Sequence, residues 1–132
     1  YASVITNPNA EEWLAQNLKT LTENYDTTAI MAMPYMENEQ AISQKEAYQW
    51  FASLIENVKA QAPLDKVLFE FQAVNWRTQK PIPESELIDW MKLLQKNHIY
   101  SYGYYPDNFL TNQPDLNKMK PYFSVNTNVG KP

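Results

Sequence analysis

Short apolar runs of strand length alternate along this chain with amphipathic stretches of helical length, and that alternation admits few architectures. Ala2–Thr6, Thr28–Met33, Val67–Val74 and His98–Tyr105 read as strands. Between and after them, Ala10–Tyr25, Ser43 to about Ala60, Pro83–Asn97 and Asn112–Lys120 read as helices. The order β-α-β-α-β-α-β-α has crossovers long enough for parallel pairing. Two folds suit such units, an open doubly wound sheet and a (β/α)8 barrel. The Gly-rich phosphate loop expected after the first strand of a nucleotide-binding sheet is missing, and Asn7-Pro8-Asn9 stands in its place. Four units in 132 residues make about half of a barrel that normally takes ~250. The chain also opens abruptly on Tyr1-Ala2-Ser3-Val4-Ile5-Thr6. The expected fold is therefore α/β, four successive β-α units forming the second half of a (β/α)8 TIM barrel over residues 1–123, with a C-terminal tail at 124–132.

Local signals support the helices. Asn9 with Glu12, and Ser43 with Glu46, have the spacing of capping boxes. Pro83 is placed to open the third helix, with Glu84 and Glu86 in its first turn where the helix dipole favours them. The faces expected in the core are Leu14, Leu18, Leu21 and Tyr25; Ala47, Phe51, Leu54, Ile55 and Val58; and Leu87, Ile88, Met91 and Leu94.

Val67–Trp76 is the most informative strand. Its period of two puts Val67, Phe69, Phe71 and Ala73 on one face and Leu68, Glu70, Gln72 and Val74 on the other. A buried polar group without a partner costs roughly 2–7 kcal/mol, so Glu70 and Gln72 need partners or ligand. In a barrel they point into the interior, Phe69 and Phe71 pack outward against helices, and Trp76 stands at the mouth.

Composition removes several classes. A net charge of −4 and a pI near 4.9, with no basic patch, argue against a nucleic-acid partner. Cysteine is absent, and His98 is the single histidine, so thiolate chemistry and a His-rich metal site are not expected. No cofactor is expected in this chain. No apolar run approaches the ~18 residues of a membrane span.

A barrel keeps its chemistry at the C-terminal strand ends. Those ends read Thr6-Asn7, Met33–Glu37, Gln72–Trp76 and Tyr104–Asn108, a set of aromatics, carboxylates and amides. Such a set binds sugars, with aromatic faces on C–H faces and polar groups on hydroxyls; acidic residues also suit free amines. Tyr35 and Tyr104 have an equal alternative, simply capping the barrel mouth. Glycoside hydrolysis generally needs two carboxyl groups flanking the bond, or one assisted by the substrate, and Glu37, Asp107 and Glu70 are the carboxylates near the strand ends. Glu70, deeper, reads as orienting a neighbour, and His98, Asp65 and Asp26 lie at the far end. The catalytic residues stay unassigned.

Four segments in order, Tyr-Ala-Ser-Val-Ile-Thr-Asn-Pro (1–8), Ala-Met-Pro-Tyr-Met-Glu (32–37), Phe-Glu-Phe-Gln-Ala-Val-Asn-Trp (69–76) and Tyr-Gly-Tyr-Tyr-Pro-Asp-Asn-Phe (102–109), resemble the C-terminal domain of PgaB/HmsF-type poly-β-1,6-N-acetyl-D-glucosamine N-deacetylases of biofilm-forming Gram-negative bacteria. The resemblance implies a glycoside-hydrolase-like (β/α)8 domain preceded by a metal-dependent deacetylase domain. It implies binding, and in the whole domain hydrolysis, of the partly de-N-acetylated polymer, in a periplasmic, outer-membrane-associated protein that hands the polymer to an export porin. Trp76, Tyr35, Tyr105 and Asp107 match positions near the family's groove; Gln72 and Glu37 join them as substrate-binding candidates. The family's catalytic acid falls on an earlier strand, so this chain alone is expected to be inactive. Open first and last strands call for a closing partner, either the N-terminal half of the barrel or another copy of the chain. The alternative function is a non-catalytic carbohydrate-binding module that guides the polymer to deacetylation and export; a weaker one is a self-contained interaction domain.

Overall fold

The computed structural model describes residues 1–123; the expected tail at 124–132 lies outside them. Three parallel strands form the sheet: β1 (Thr28–Ala32), β2 (Val67–Gln72) and β5 (Tyr102–Tyr105), in the spatial order β1-β2-β5. A hairpin of β3 (Val74–Asn75) and β4 (Lys80–Pro81) rises from the end of β2. The helices are α1 (Ser3–Thr6), α2 (Ala10–Leu14), α3 (Leu18–Asn24), α4 (Pro34–Glu37), α5 (Gln44–Gln61), α6 (Glu84–Lys96) and α7 (Leu116–Phe123).

Register aligns side chains into rows. Ile30, Phe69 and Tyr102 stand beside one another on one face, as do Ala32, Phe71 and Tyr104; Met31, Glu70 and Gly103 share the other. The first face carries the helices. Phe51 of α5 lies 6.1 Å from Phe69 and 6.3 Å from Phe71, and Trp90 of α6 meets Phe71 at 5.8 Å, edge to face. Phe51 and Trp90 stack at 5.5 Å and 17°. Phe123 of α7 closes on Tyr102 and Tyr104. Phe51, Phe69, Phe71 and Trp90 are fully buried, each adding roughly 1.5–3 kcal/mol of transfer free energy. Leu68 and Glu70, on the opposite face, are only half-buried. Among the described residues, α5 and α6 pack on one face of the sheet, and the strands are joined by adjacent parallel crossovers.

Several of the sequence expectations about the fold are corrected. Among the described residues the sheet has three strands, not four, because Ala2–Thr6 is helical: Asn7 N–H bonds to Ser3 O at 2.8 Å, and Gln61 Nε2 holds Ile5 O at 3.1 Å. Val4 and Ile5 of this short helix are both buried. The long helix expected over Ala10–Tyr25 breaks into α2 and α3. Ala15 takes a left-handed conformation, φ 51°, and Asn17 caps a new helix by accepting from Thr20 N–H. Asn9 makes no side-chain cap bond to α2.

The Ser43–Glu46 capping box forms, with bonds of 3.2 and 2.7 Å. Pro83 takes the N-cap position, and α6 begins at Glu84. At the other end of α6, His98 turns left-handed, φ 60°, while His98 N–H and Ile99 N–H bond back to Gln95 and Leu94. That turn delays the last strand from His98 to Tyr102.

Candidate functional site

The C-terminal strand ends gather three loops. After β1 the chain turns into α4; after β2 it rises into the β3–β4 hairpin; after β5 it forms the loop 106–113, closed by paired backbone bonds between Asn108 and Gln113. Asn108 Oδ1 accepts from Leu110 and Thr111 N–H, which shapes the tip of that loop. Ala73 joins the second and third loops, its N–H bonding to Tyr105 O and its carbonyl accepting from Ile82 N–H, both at 2.9 Å. Between hairpin and loop lies a pocket of about 250 Å³ whose walls include Val74, Pro81, Asp107 and Gln113.

Trp76 sits in the hairpin loop and is 38 % exposed. Asn75 Oδ1 accepts from Arg77 and Thr78 N–H, and Gln79 Nε2 bonds to Trp76 O at 2.7 Å. Arg77 then ties the hairpin to the β1 loop: its Nε donates to Tyr35 O at 3.2 Å and its Nη2 to Asn38 O. The tryptophan is thus carried outward on a loop held at its base. Tyr105 is exposed at the end of β5, and Asp107 follows it at the pocket.

Gln72 and Tyr35, expected to touch substrate, are both buried and hydrogen-bonded within the framework. Gln72 is fully buried; its Oε1 accepts from Tyr35 N–H and its Nε2 donates to Val74 O, both at 2.9 Å. An interior-facing amide at a strand end satisfies orphaned backbone groups of the adjoining loops, so no surface of Gln72 faces solvent. The Tyr35 ring is tucked into the helix layer beside Trp90, 6.3 Å away, and its hydroxyl donates to Glu86 Oε1. Burial, with the Glu86 carboxylate beside it, pushes the phenol well above its ordinary range. Tyr104 likewise turns toward Phe71 and Phe123.

Glu37 is brought to the β1 side, where burial raises its carboxyl pKa. The N-terminal charge and the backbone N–H groups of Ser3 and Ala2 pull it part of the way back. It does not line the pocket that holds Asp107, so these two carboxylates are not assembled around one bond by the described residues. Among those residues no cluster of His, Cys, Asp and Glu could hold a metal ion.

Sequence reasoning missed Arg77 and Glu86. Arg77 left no periodic signal, since its role depends on carbonyls 39 and 42 residues away. Glu86 was legible: with Leu87, Trp90, Met91 and Leu94 it falls on the buried stripe of α6.

The loops and the one-sided sheet carry a recognisable sequence. The family model described as hypothetical glycosyl hydrolase family 13, GHL13, matches residues 1–105. The chain belongs to this family. As a GHL13 member it is 43 % identical over 130 residues to the poly-beta-1,6-N-acetyl-D-glucosamine N-deacetylases of Escherichia coli K12 and O157:H7, covering 95 % of this chain and 19 % of each relative. Its fold is similar to that of the PgaB (BpsB) glycoside hydrolase domain from Bordetella bronchiseptica, with a TM-score of 0.85 and 37 % identity over 95 % of this chain and 34 % of that one. The GHL13 chain therefore spans about a fifth of the length of the curated relatives and has an α/β fold resembling the PgaB glycoside hydrolase domain.

Proposed function

We propose that this chain forms part of a glycoside-hydrolase-like domain that binds partly de-N-acetylated poly-β-1,6-N-acetyl-D-glucosamine at its strand ends. The observation that carries the reading is Trp76, an indole exposed on a hairpin whose base is fixed by Arg77 and Gln72. A rigidly presented ring loses little conformational freedom on stacking against a pyranose, which is what a polymer site requires. The substrate class rests on the relatives named as N-deacetylases of this polymer. Tyr105 supplies a second exposed ring, and Asp107 a carboxylate for hydroxyls or for the ammonium left by deacetylation.

In the complete domain we place polymer hydrolysis, with the remaining strands of a (β/α)8 barrel pairing the outer edges of β1 and β5. On this reading the protein works in the periplasm at the outer membrane and passes polymer to an export porin, with no cofactor bound by these residues. A non-catalytic module is the second reading. It differs from the first only in turnover, because the carboxyls that hydrolysis generally needs need not all lie in this chain.

The experiment is incubation of partly deacetylated polymer with the full-length protein, followed by mass analysis of released oligosaccharides, alongside calorimetric titration of defined oligosaccharides. Fragments together with binding that Trp76→Ala weakens support the enzyme. Binding without fragments leaves the module. No binding rejects the proposal.

A further inference from the structure

The loop 106–113 carries at its tip the most exposed large apolar side chains of the described residues: Phe109 is 88 % exposed and Leu110 98 %. Leu116, at the start of α7, follows at 63 %. From Asn108 to Gln113 no residue is charged, and the apolar pair is flanked by Asn, Thr and Gln side chains.

Hydrogen bonds within the loop hold this tip in shape. Asn108 and Gln113 close it with paired backbone bonds of 2.7 and 3.1 Å. Asn108 Oδ1 takes up the Leu110 and Thr111 N–H groups, at 3.0 and 3.3 Å. Asn112 turns left-handed, φ 51°, and its Oδ1 accepts from Leu116 N–H at 3.0 Å. Water serves exposed donors equally well, whereas a segment that enters hydrocarbon must satisfy its donors within the chain. Two apolar side chains are thereby held outward on a turn whose N–H groups at Leu110 and Thr111 are already paired.

Area and charge select what covers the tip. Phe and Leu together offer on the order of 300 Å², well short of the ~800 Å² per partner of a stable protein interface. Neither side chain has a polar edge for sugar hydroxyls, and Leu110 has no ring face to stack, so the pair makes a poor polysaccharide platform. Insertion among acyl chains needs no matching pocket and takes up both side chains whole. The nearest charges along the chain are Asp107 and Asp115, and the net charge is −4, so an anionic surface repels the loop. A zwitterionic bilayer does not.

We propose that Phe109 and Leu110 form a lipid-inserting tip through which the strand-end side of the domain rests on a zwitterionic bilayer. The two side chains enter the boundary between headgroups and acyl chains, while Asn108, Thr111 and Gln113 stay at headgroup level. Contact is shallow and reversible, because two side chains bury far less apolar area than a membrane-spanning helix. The tip goes beyond the strand-end polymer reading and uses none of the residues assigned to it.

The test is flotation of the full chain with phosphatidylcholine vesicles and, separately, with vesicles that also contain phosphatidylglycerol. Binding to phosphatidylcholine is expected, with no gain from the anionic lipid. Phe109→Ser combined with Leu110→Ser should lower the partition coefficient by roughly tenfold or more with an unchanged melting curve. The sequence has no cysteine, so Leu110→Cys and Tyr100→Cys each accept a single environment-sensitive fluorophore. Emission should rise on vesicle addition at position 110 and not at position 100, which precedes β5 at the opposite end of the sheet. The proposal is overturned by absence of flotation, by a preference for the anionic vesicles, by unaltered partition in the double variant, or by a silent probe at position 110. Unaltered partition together with lost affinity for partly deacetylated oligosaccharides assigns the tip to polymer instead.

Discussion

The Tyr35 hydroxyl donates to Glu86 Oε1 across 51 residues of sequence, joining the loop after β1 to the first turn of α6. Both groups are buried, so the bond secures one loop of the strand-end site to the helix layer. A net hydrogen bond to a charged group contributes about 1.5–3 kcal/mol. Tyr35→Phe is expected to lose that amount in urea unfolding; an unchanged midpoint would remove the bond from the folded state.

The same pair sets an acid response. Burial raises the Glu86 carboxyl above its ordinary 4.5, the Tyr35 bond lowers it and Asp89 raises it again, with a net upward shift. A folded pKa above the unfolded one means that the folded chain holds the proton more tightly. The resulting stability is fully present below the unfolded pKa and is lost as pH rises through the folded value. Glu86→Gln should therefore flatten the decline of melting temperature over that window. Glu37, also raised by burial, contributes with the same sign and should leave a residual slope.

Gln72→Leu keeps the volume of the buried side chain while deleting its bonds to Tyr35 N–H and Val74 O. The orphaned N–H alone costs about 1–3 kcal/mol. Hydrogen exchange should quicken most at Tyr35 and at the hairpin, and uniform exchange would show that Gln72 does not hold the loops.

Trp76→Ala separates binding from folding. The side chain is partly exposed and off the core, so unfolding free energy should change by less than ~0.5 kcal/mol. Affinity for partly deacetylated oligosaccharides should fall by ~1–3 kcal/mol, the scale of aromatic stacking losses on other ring ligands. Calorimetric titration of both forms decides it.

Gly103 stands beside Glu70 on the face without helices, and a Cβ there meets nothing within 4 Å. Gly103→Ala should stabilise this chain by ~0.4–1 kcal/mol by narrowing the unfolded ensemble. A loss of stability confined to the full-length protein would show that other segments fill that space.

Legibility in the sequence followed the range of the interactions. The capping box at Ser43, the alternation of β2 and the core face of α5 are local patterns, and each formed as read. The leucine spacing of residues 14–21 kept a helical period straight across the break at Ala15, because apolar spacing does not register a single left-handed residue. Ala2–Thr6 is apolar enough for either structure, and its packing on α5 decided for helix. At the candidate site, the loops that follow β1, β2 and β5 lie where the strand ends were read. The hydrogen bonds of Tyr35 and Gln72 to Glu86, Val74 and each other are visible only in three dimensions.

The order β1-β2-β5 makes every neighbour in the sheet the next main strand in the chain, with one principal helix docked between successive partners. Each pairing can therefore close as soon as its own segment has left the ribosome, without waiting for distant sequence. Assembly can proceed as a progressive winding from one end, with the most recent strand always serving as the template for the next.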